Sequence, residues 1–405
     1  MIERLTVSEY DIARVRGLYS TIGSGTAYLE GALAPVQPQS VVGALIATLR
    51  QSPAPAGART TRSKRAASSI VAARAAFSDI VGARTSDVVL GGNVADLTVR
   101  LAVSLSADWQ LGDEIVLSRY DGDAAVLAWR RVAHEKGVIV RWAEVDLESG
   151  EVPAWQYRRL IGPRTRLVTV ALGNPTTGAL PDLSEITALA HKRGAMVVVD
   201  AGVAVNHVPL DLADLDVDVL LLSATAIGGP SVAAFATRPG LLEEIVPDSV
   251  RPASRAFEPG TLPIELLEGV VAAVDHLADL DSTATGTRRE RLLWSVTAAG
   301  EHTAGLYATL DKGLRQIPGV TVLGSSVDRL PVLAFTVDGR TAEEVGDALN
   351  SKRIAVWTGS VGLSELARSF GLDEVGGAVH VGLMPYSNTA EVTRLLDALN
   401  SLVRP

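Results

Sequence analysis

The chain runs to 405 residues at formal net charge −9, with 47% hydrophobic and 4% aromatic residues. That is ample material for a large core of Val, Leu, Ile and Ala spread over two or three domains. The absence of cysteine excludes a disulfide framework, a thiolate metal site and a cysteine nucleophile; the longest basic stretch, Arg59–Arg65, is too short to argue for nucleic acid or an anionic membrane surface.

In chain order, the start MIERLTVSEYDIARVRG is charged and lacks the apolar centre of a secretory signal, and no window reaches the roughly 18 apolar residues of a membrane span. The expectation is a cytoplasmic protein. Gln51–Ala58 reads as a local loop. Short apolar runs then predict strands at Val88–Leu90, Glu114–Ser118, Val138–Ala143, Leu167–Ala171, Met196–Asp200, Val217–Leu222 and Val232–Thr237. Amphipathic stretches at Ala95–Ser106, Ala124–His134, Ala154–Ile161 and Leu183–Lys192 separate the earlier ones. Continuous Val/Leu runs alternating with helices predict a mostly parallel sheet covered on both faces. The last two strands are joined only by SATAIGGPS, so Val232–Thr237 is expected to run antiparallel. Beyond about residue 285 the pattern predicts a helix over Arg288–Gln316, strands at Val320–Leu323 and Val332–Val337, a helix at Ala342–Asn350, a strand at Val379–Gly382 and a closing helix, Thr389–Leu402. This divides the chain into an N-terminal segment, 1–25, packing with a small α+β domain, 286–405, and a large domain, 26–285.

Ligands of open α/β sheets sit beyond the carboxyl ends of the strands, so the loops after Leu90, Ser118, Ala171, Asp200 and Leu222 are the places to search. VVVDAGVAVNH (Val197–His207), SATAIGGP (Ser223–Pro230), FEPGT (Phe257–Thr261), RRERL (Arg288–Leu292), AVWTG (Ala355–Gly359) and VHVGLMPYSNTAEVTRLLDAL (Val379–Leu399) follow one another in order. Together they resemble the class V aminotransferase and cysteine desulfurase family of fold-type-I pyridoxal-phosphate enzymes. That resemblance implies a homodimer with a mixed, mostly parallel seven-stranded sheet and a smaller C-terminal domain. It also implies that Asp200 pairs with the cofactor's ring nitrogen, that Ser223 and Asn93 lie near the phosphate, and that Thr261 reaches the cofactor of the partner subunit.

Other matched positions depart from the family. Ala226 stands where the resemblance implies the imine-forming lysine, with Thr225 before it. A methyl group can form no imine and carry no proton. Gly122 or Asp123 replaces the ring-stacking histidine, Val203 a glutamine, Ala95 a phosphate-side threonine, Pro175 an asparagine, and His380 the arginine for a substrate carboxylate. Asp96 in the first turn of its helix is expected to repel a phosphate. None of the six histidines has metal-ligand spacing. The reading is a branch lacking lysine-dependent chemistry, with no covalent cofactor and at most a noncovalent, minor place for pyridoxal phosphate, acting through a repurposed cleft on a small molecule or a protein. The rival is an enzyme of transferase or lyase type, on a small amino-acid-type substrate, using the cleft for other chemistry with Asp123, Tyr120, Thr225 or His380 as acid–base groups. A further alternative holds the cofactor noncovalently or already joined to an amino acid.

Overall fold

The computed structural model describes residues 10–246, 252–325 and 328–403. Residues 1–9 of the expected N-terminal segment lie outside the described residues. The strands, in chain order, are β1 (Ala27–Tyr28), β2 (Val88–Gly91), β3 (Glu114–Ser118), β4 (Ile139–Ala143), β5 (Thr165–Ala171), β6 (Met196–Asp200), β7 (Val219–Ser223), β8 (Ala233–Thr237), β9 (Val320–Val322), β10 (Val332–Val337), β11 (Ile354–Ala355), β12 (Trp357–Gly359) and β13 (Ala378–Gly382).

Seven of them form one mixed sheet in the order β2-β8-β7-β6-β5-β3-β4. β8 runs antiparallel to both its neighbours, and the remaining pairings are parallel. The short 224–232 connection thus does what its length requires. Alternate residues of the central strands enter two different cores: Val168, Val197, Val199, Leu220 and Leu222 pack on one face, Leu167, Val198, Val219 and Leu221 on the other. Burial on both faces is why these strands read as unbroken apolar runs rather than alternating ones.

The Val94–Leu105 and Asp123–Lys136 helices cover the second face. The first is closed by helices the sequence pattern did not resolve, Gln39–Arg50, Thr61–Val81 and Ile264–Ala278. Thr60 caps the 61–81 helix at its start and Gly82, at φ +69°, ends it. The 28-residue helix Arg288–Arg315 opens on a Thr287/Glu290 capping box. It leads to an antiparallel sheet, β12-β13-β10-β9, whose core includes Leu310, Phe335, Val381 and Leu395. Near the N terminus, β1 pairs with β11, and Arg16 bonds Glu391 at 3.0 Å in the closing helix. Among the described residues no helix is long and apolar enough to cross a membrane.

The sheet order places the site. After β3 the chain moves outward to β4, then returns to the other side of β3 as β5. The carboxyl ends of β3 and β5 therefore diverge into a crevice at the point where the winding reverses.

Candidate functional site

Asp200 is the last residue of β6, opposite Ala171 on one side and Leu221 on the other. Its Oδ1 accepts from the Gly202 amide at 2.9 Å, its single hydrogen-bond donor among the described residues. Burial pushes its pKa up. Beside it lies Asp121, which the sequence reading passed over. Asp121 is buried and accepts from the amides of Ala171 (3.1 Å) and Ser118 (3.0 Å) and from the Thr169 hydroxyl. Burial, offset in part by these donors and reinforced by the charge of Asp200, pushes its pKa up to about 6. The signal for Asp121 was its place in the loop after a central strand, between the two residues that were singled out.

Gly91 and Ser223 both pair with Ala233, so the loops after β2 and β7 share one edge of the sheet. Ser223 Oγ lies 2.8 Å from Thr225 Oγ1 and accepts the Thr225 amide at 3.3 Å. Ala226 is half-buried in the 224–227 turn, where its carbonyl accepts from Asn206 Nδ2 at 2.6 Å. Across β8, Asn93 caps the 94–105 helix by accepting the Asp96 amide at 2.8 Å. The amides of Val94 and Ala95 have no protein acceptor among the described residues, as expected for a first helical turn. Ala95 and Val203 are half-buried beside these loops.

The four acid–base candidates are not brought together as a free cluster. Tyr120 is buried and donates to Ala179 O at 2.5 Å, and burial raises its pKa. Asp123 accepts from the Ser364 amide (2.8 Å) and hydroxyl (2.7 Å), across 241 residues of sequence. His380 is 2% exposed, with Nδ1 at 3.2 Å from Pro175 O and Nε2 at 2.9 Å from Gly359 O. Neutral imidazole can donate to only one of those carbonyls, and burial holds its pKa below the usual histidine range. Thr225 is exposed and bonded to Ser223. Asp96 also differs from expectation: Arg100, one turn on, bonds it at 2.7 Å and offsets the charge expected to repel a phosphate. Thr261 is exposed and lines a cavity of about 120 Å³ with Arg74, Arg255 and Glu258. Among the described residues there is no cluster of metal-ligating side chains.

A carboxylate with one amide donor at the end of β6, hydroxyls after β7 and open helix-start amides after β2 fit the ring and phosphate ends of pyridoxal phosphate. Covalent anchorage through residue 226 does not fit. An uncharacterized protein of Mycobacterium tuberculosis is 38% identical over 399 residues, covering 97% of this chain and 99% of that protein. The fold matches the cysteine desulfurase CsdA (S-sulfonic acid) from Escherichia coli with a TM-score of 0.84 at 22% identity, covering 97% of this chain and 98% of that one. It also matches a lysine-to-alanine mutant of C-DES in which glycine is covalently linked to the PLP cofactor (TM-score 0.77, 21% identity, 96% and 99% covered). That last structure, which holds the cofactor, overturns the expectation that pyridoxal phosphate has at most a minor, noncovalent place. In a protein of this fold, with a lysine replaced by alanine, the cofactor is still held, joined to an amino acid. Residues 27–395 match the family model described as aminotransferase class V, and the chain belongs to that family.

Proposed function

We propose that this chain is a class V member that takes pyridoxal phosphate without an imine to its own lysine, as the amine form or already joined to an amino compound. The observation that carries this reading is Asp200, a carboxylate at the carboxyl end of a central strand with, among the described residues, only the Gly202 amide to balance it. A protonated pyridine nitrogen supplies the missing cation, and the pair is a charge-assisted hydrogen bond. Ser223, Thr225 and the amides of Val94 and Ala95 would hold the phosphate, as helix starts do. When bound, the cofactor supplies an electron sink at the carbon bearing the amino group. Ala226 contributes no amine, so the chain itself neither captures a substrate by exchange nor returns a proton from that position. Cysteine desulfuration through a cysteine persulfide is outside its means, since the sequence has no cysteine to carry the sulfur.

The same reading includes a homodimer in which Thr261 completes the cleft of the partner subunit. Its support is the exposed Thr261 beside a cavity and, on the 39–50 helix, an exposed apolar row of Val42, Ile46 and Leu49. Division near residue 285 and a cytoplasmic setting belong to this proposal too; the separate sheets support the first, and the lack of any disulfide to maintain is compatible with the second.

Titration calorimetry with pyridoxamine phosphate, and with pyridoxal phosphate premixed with glycine, tests the proposal. Saturable binding of either, followed by borohydride reduction that labels none of Lys64, Lys136, Lys192, Lys312 and Lys352, is expected. A pyridoxyl group on any of these lysines, or no binding at millimolar ligand, overturns it. Light scattering at twice the chain mass is expected for the dimer.

A further inference from the structure

Residues 360–369 leave the small sheet at the end of β12 and cross to the large sheet. They dock on the loop after β3, at the crevice where the winding reverses. The contacts are specific: Asp123 donates its amide to Gly362 O at 2.8 Å and accepts both the amide and the hydroxyl of Ser364. Arg119 bonds Glu365, which Arg368 and Arg130 also approach, at 3.1 and 3.9 Å. Leu363 and Leu366 are buried in the main core beneath. An ideal Cβ on Gly122 would lie 4.0 Å from Gly362 O, so the segment stands directly over the position that lacks a ring-stacking side chain. The loop it presses on is the one whose Asp121 holds the Ala171 amide, next to Asp200.

One residue opposes this docking. Val361 is held at φ +50°, a left-handed conformation that a β-branched residue adopts only under constraint. Glycines at 359 and 362 take positive φ on either side at no such cost. The root of the segment, by contrast, is fastened: the buried His380 stands with one ring nitrogen 2.9 Å from Gly359 O and the other 3.2 Å from Pro175 O, and donates to one of them. A segment with a fastened root, a polar latch at its tip and strain stored between them has two states available to it.

We propose that residues 360–369 form a strap that opens as a unit from the crevice, latched shut by Asp123 on Ser364 and biased open by the strain at Val361. This goes beyond the cofactor reading and does not depend on what the cleft holds. Opening releases Ser364 and Glu365 from Asp123 and Arg119 and uncovers Gly122; the core strands stay intact.

Hydrogen exchange on the full-length, ligand-free chain tests it. The amides of 362–369 are expected to exchange at least about tenfold faster than those of 165–171 and 196–200, because they open locally rather than with the whole fold. Asp123→Ala removes two hydrogen bonds to a charged acceptor and should raise exchange in the strap by about ten- to a hundredfold, leaving both strands unchanged. Val361→Gly should slow it, by about fivefold, through relief of the backbone strain. Should Asp123→Ala fail to fold, Ser364→Ala carries the same expectation at smaller size, since it removes only an exposed hydroxyl. Strap amides exchanging at the rate of the core strands in the parent would overturn the proposal. So would acceleration of strap and strands alike in the latch variant, or faster exchange in Val361→Gly.

Discussion

Replacing Asp200 by asparagine separates what that residue does for the fold from what it does for a ligand. The substitution keeps size and shape, and the new Oδ1 can still accept the Gly202 amide, now made at 2.9 Å. It removes a charge that burial disfavours and that no basic side chain balances among the described residues. The sign follows from the direction of the shift. A carboxyl whose folded pKa is raised binds its proton more tightly in the folded chain, so stability is highest below the unfolded value, roughly 3.9. Stability then falls as pH climbs through that value to the folded pKa. Asp200→Asn should therefore be more stable than the parent at pH 7, by about 0.5–2 kcal/mol, the range for relieving a functional-site compromise. The gain should shrink as pH falls below the unfolded value, where the carboxyl becomes protonated in both states. Binding should move the other way: a hydrogen bond to a charged group is worth about 1.5–3 kcal/mol, so affinity for pyridoxamine phosphate should drop roughly ten- to 150-fold. Urea denaturation at pH 7 and below the unfolded value, and calorimetry at pH 7, measure the two effects. A variant less stable at pH 7 with unchanged affinity would mean that Asp200 is a structural carboxylate and that the pyridine nitrogen lies elsewhere.

Ala226→Lys alone should not support a transamination half-reaction with common amino acids, followed by absorbance, because on the proposed reading Gly122 and Val203 leave the ring without its stacking and polar neighbours and groups that act together do not recover singly. Glu258→Gln should cost about 3 kcal/mol in urea midpoint analysis: the 4%-exposed carboxylate binds Arg74, whose side chain is 15% exposed, and also accepts the Leu90 amide at 2.7 Å. Gly300→Ala should lower stability by about 1–3 kcal/mol, since its Cβ would lie 2.2 Å from His207 O, a backbone atom, so helix or turn must shift.

The parts of the fold legible in the sequence were those with a strong period. The central strands are buried on both faces, and Leu167–Ala171, Met196–Asp200 and Leu220–Leu222 stand out as apolar runs for that reason. The 61–81 helix did not stand out, because it packs through Ala66, Ala73 and Ala76 beside Ser63, Ser69 and Ser78, and small residues carry little hydrophobic contrast. At the site, the loops after β6 and β7 could be found from strand ends, while singling out Asp200, Ser223 and Ala226 within them rested on the resemblance to the family. The engagements of Asp123 and His380 could not: each binds a partner more than 20 positions away, and a hydrogen bond of that kind leaves no local pattern. Arg100 was legible in principle, since a carboxylate followed four residues later by an arginine on a helix is a pairing rule. Its omission turned Asp96 into an expected source of repulsion.

Charge accounting along this edge of the sheet shows what a ligand must bring. Asp96 is matched by Arg100 at 2.7 Å. Asp123 is satisfied by both groups of Ser364. Asp121 has two amides and a hydroxyl. Of these four, Asp200 alone is left with one donor among the described residues, at the point where the loops after β5, β6 and β7 converge. A half-buried carboxylate so placed is costly unless a cation or further donors reach it. Arg100 also bonds Phe257 O, and Arg119 bonds Glu144 and Glu365, so both are committed away from Asp200. On the proposed reading the cation comes with the ligand. A protonated aromatic nitrogen would meet that need with a single directed N–H, and the ring end of the proposed pyridoxal-type ligand carries one whether or not a lysine stands behind it.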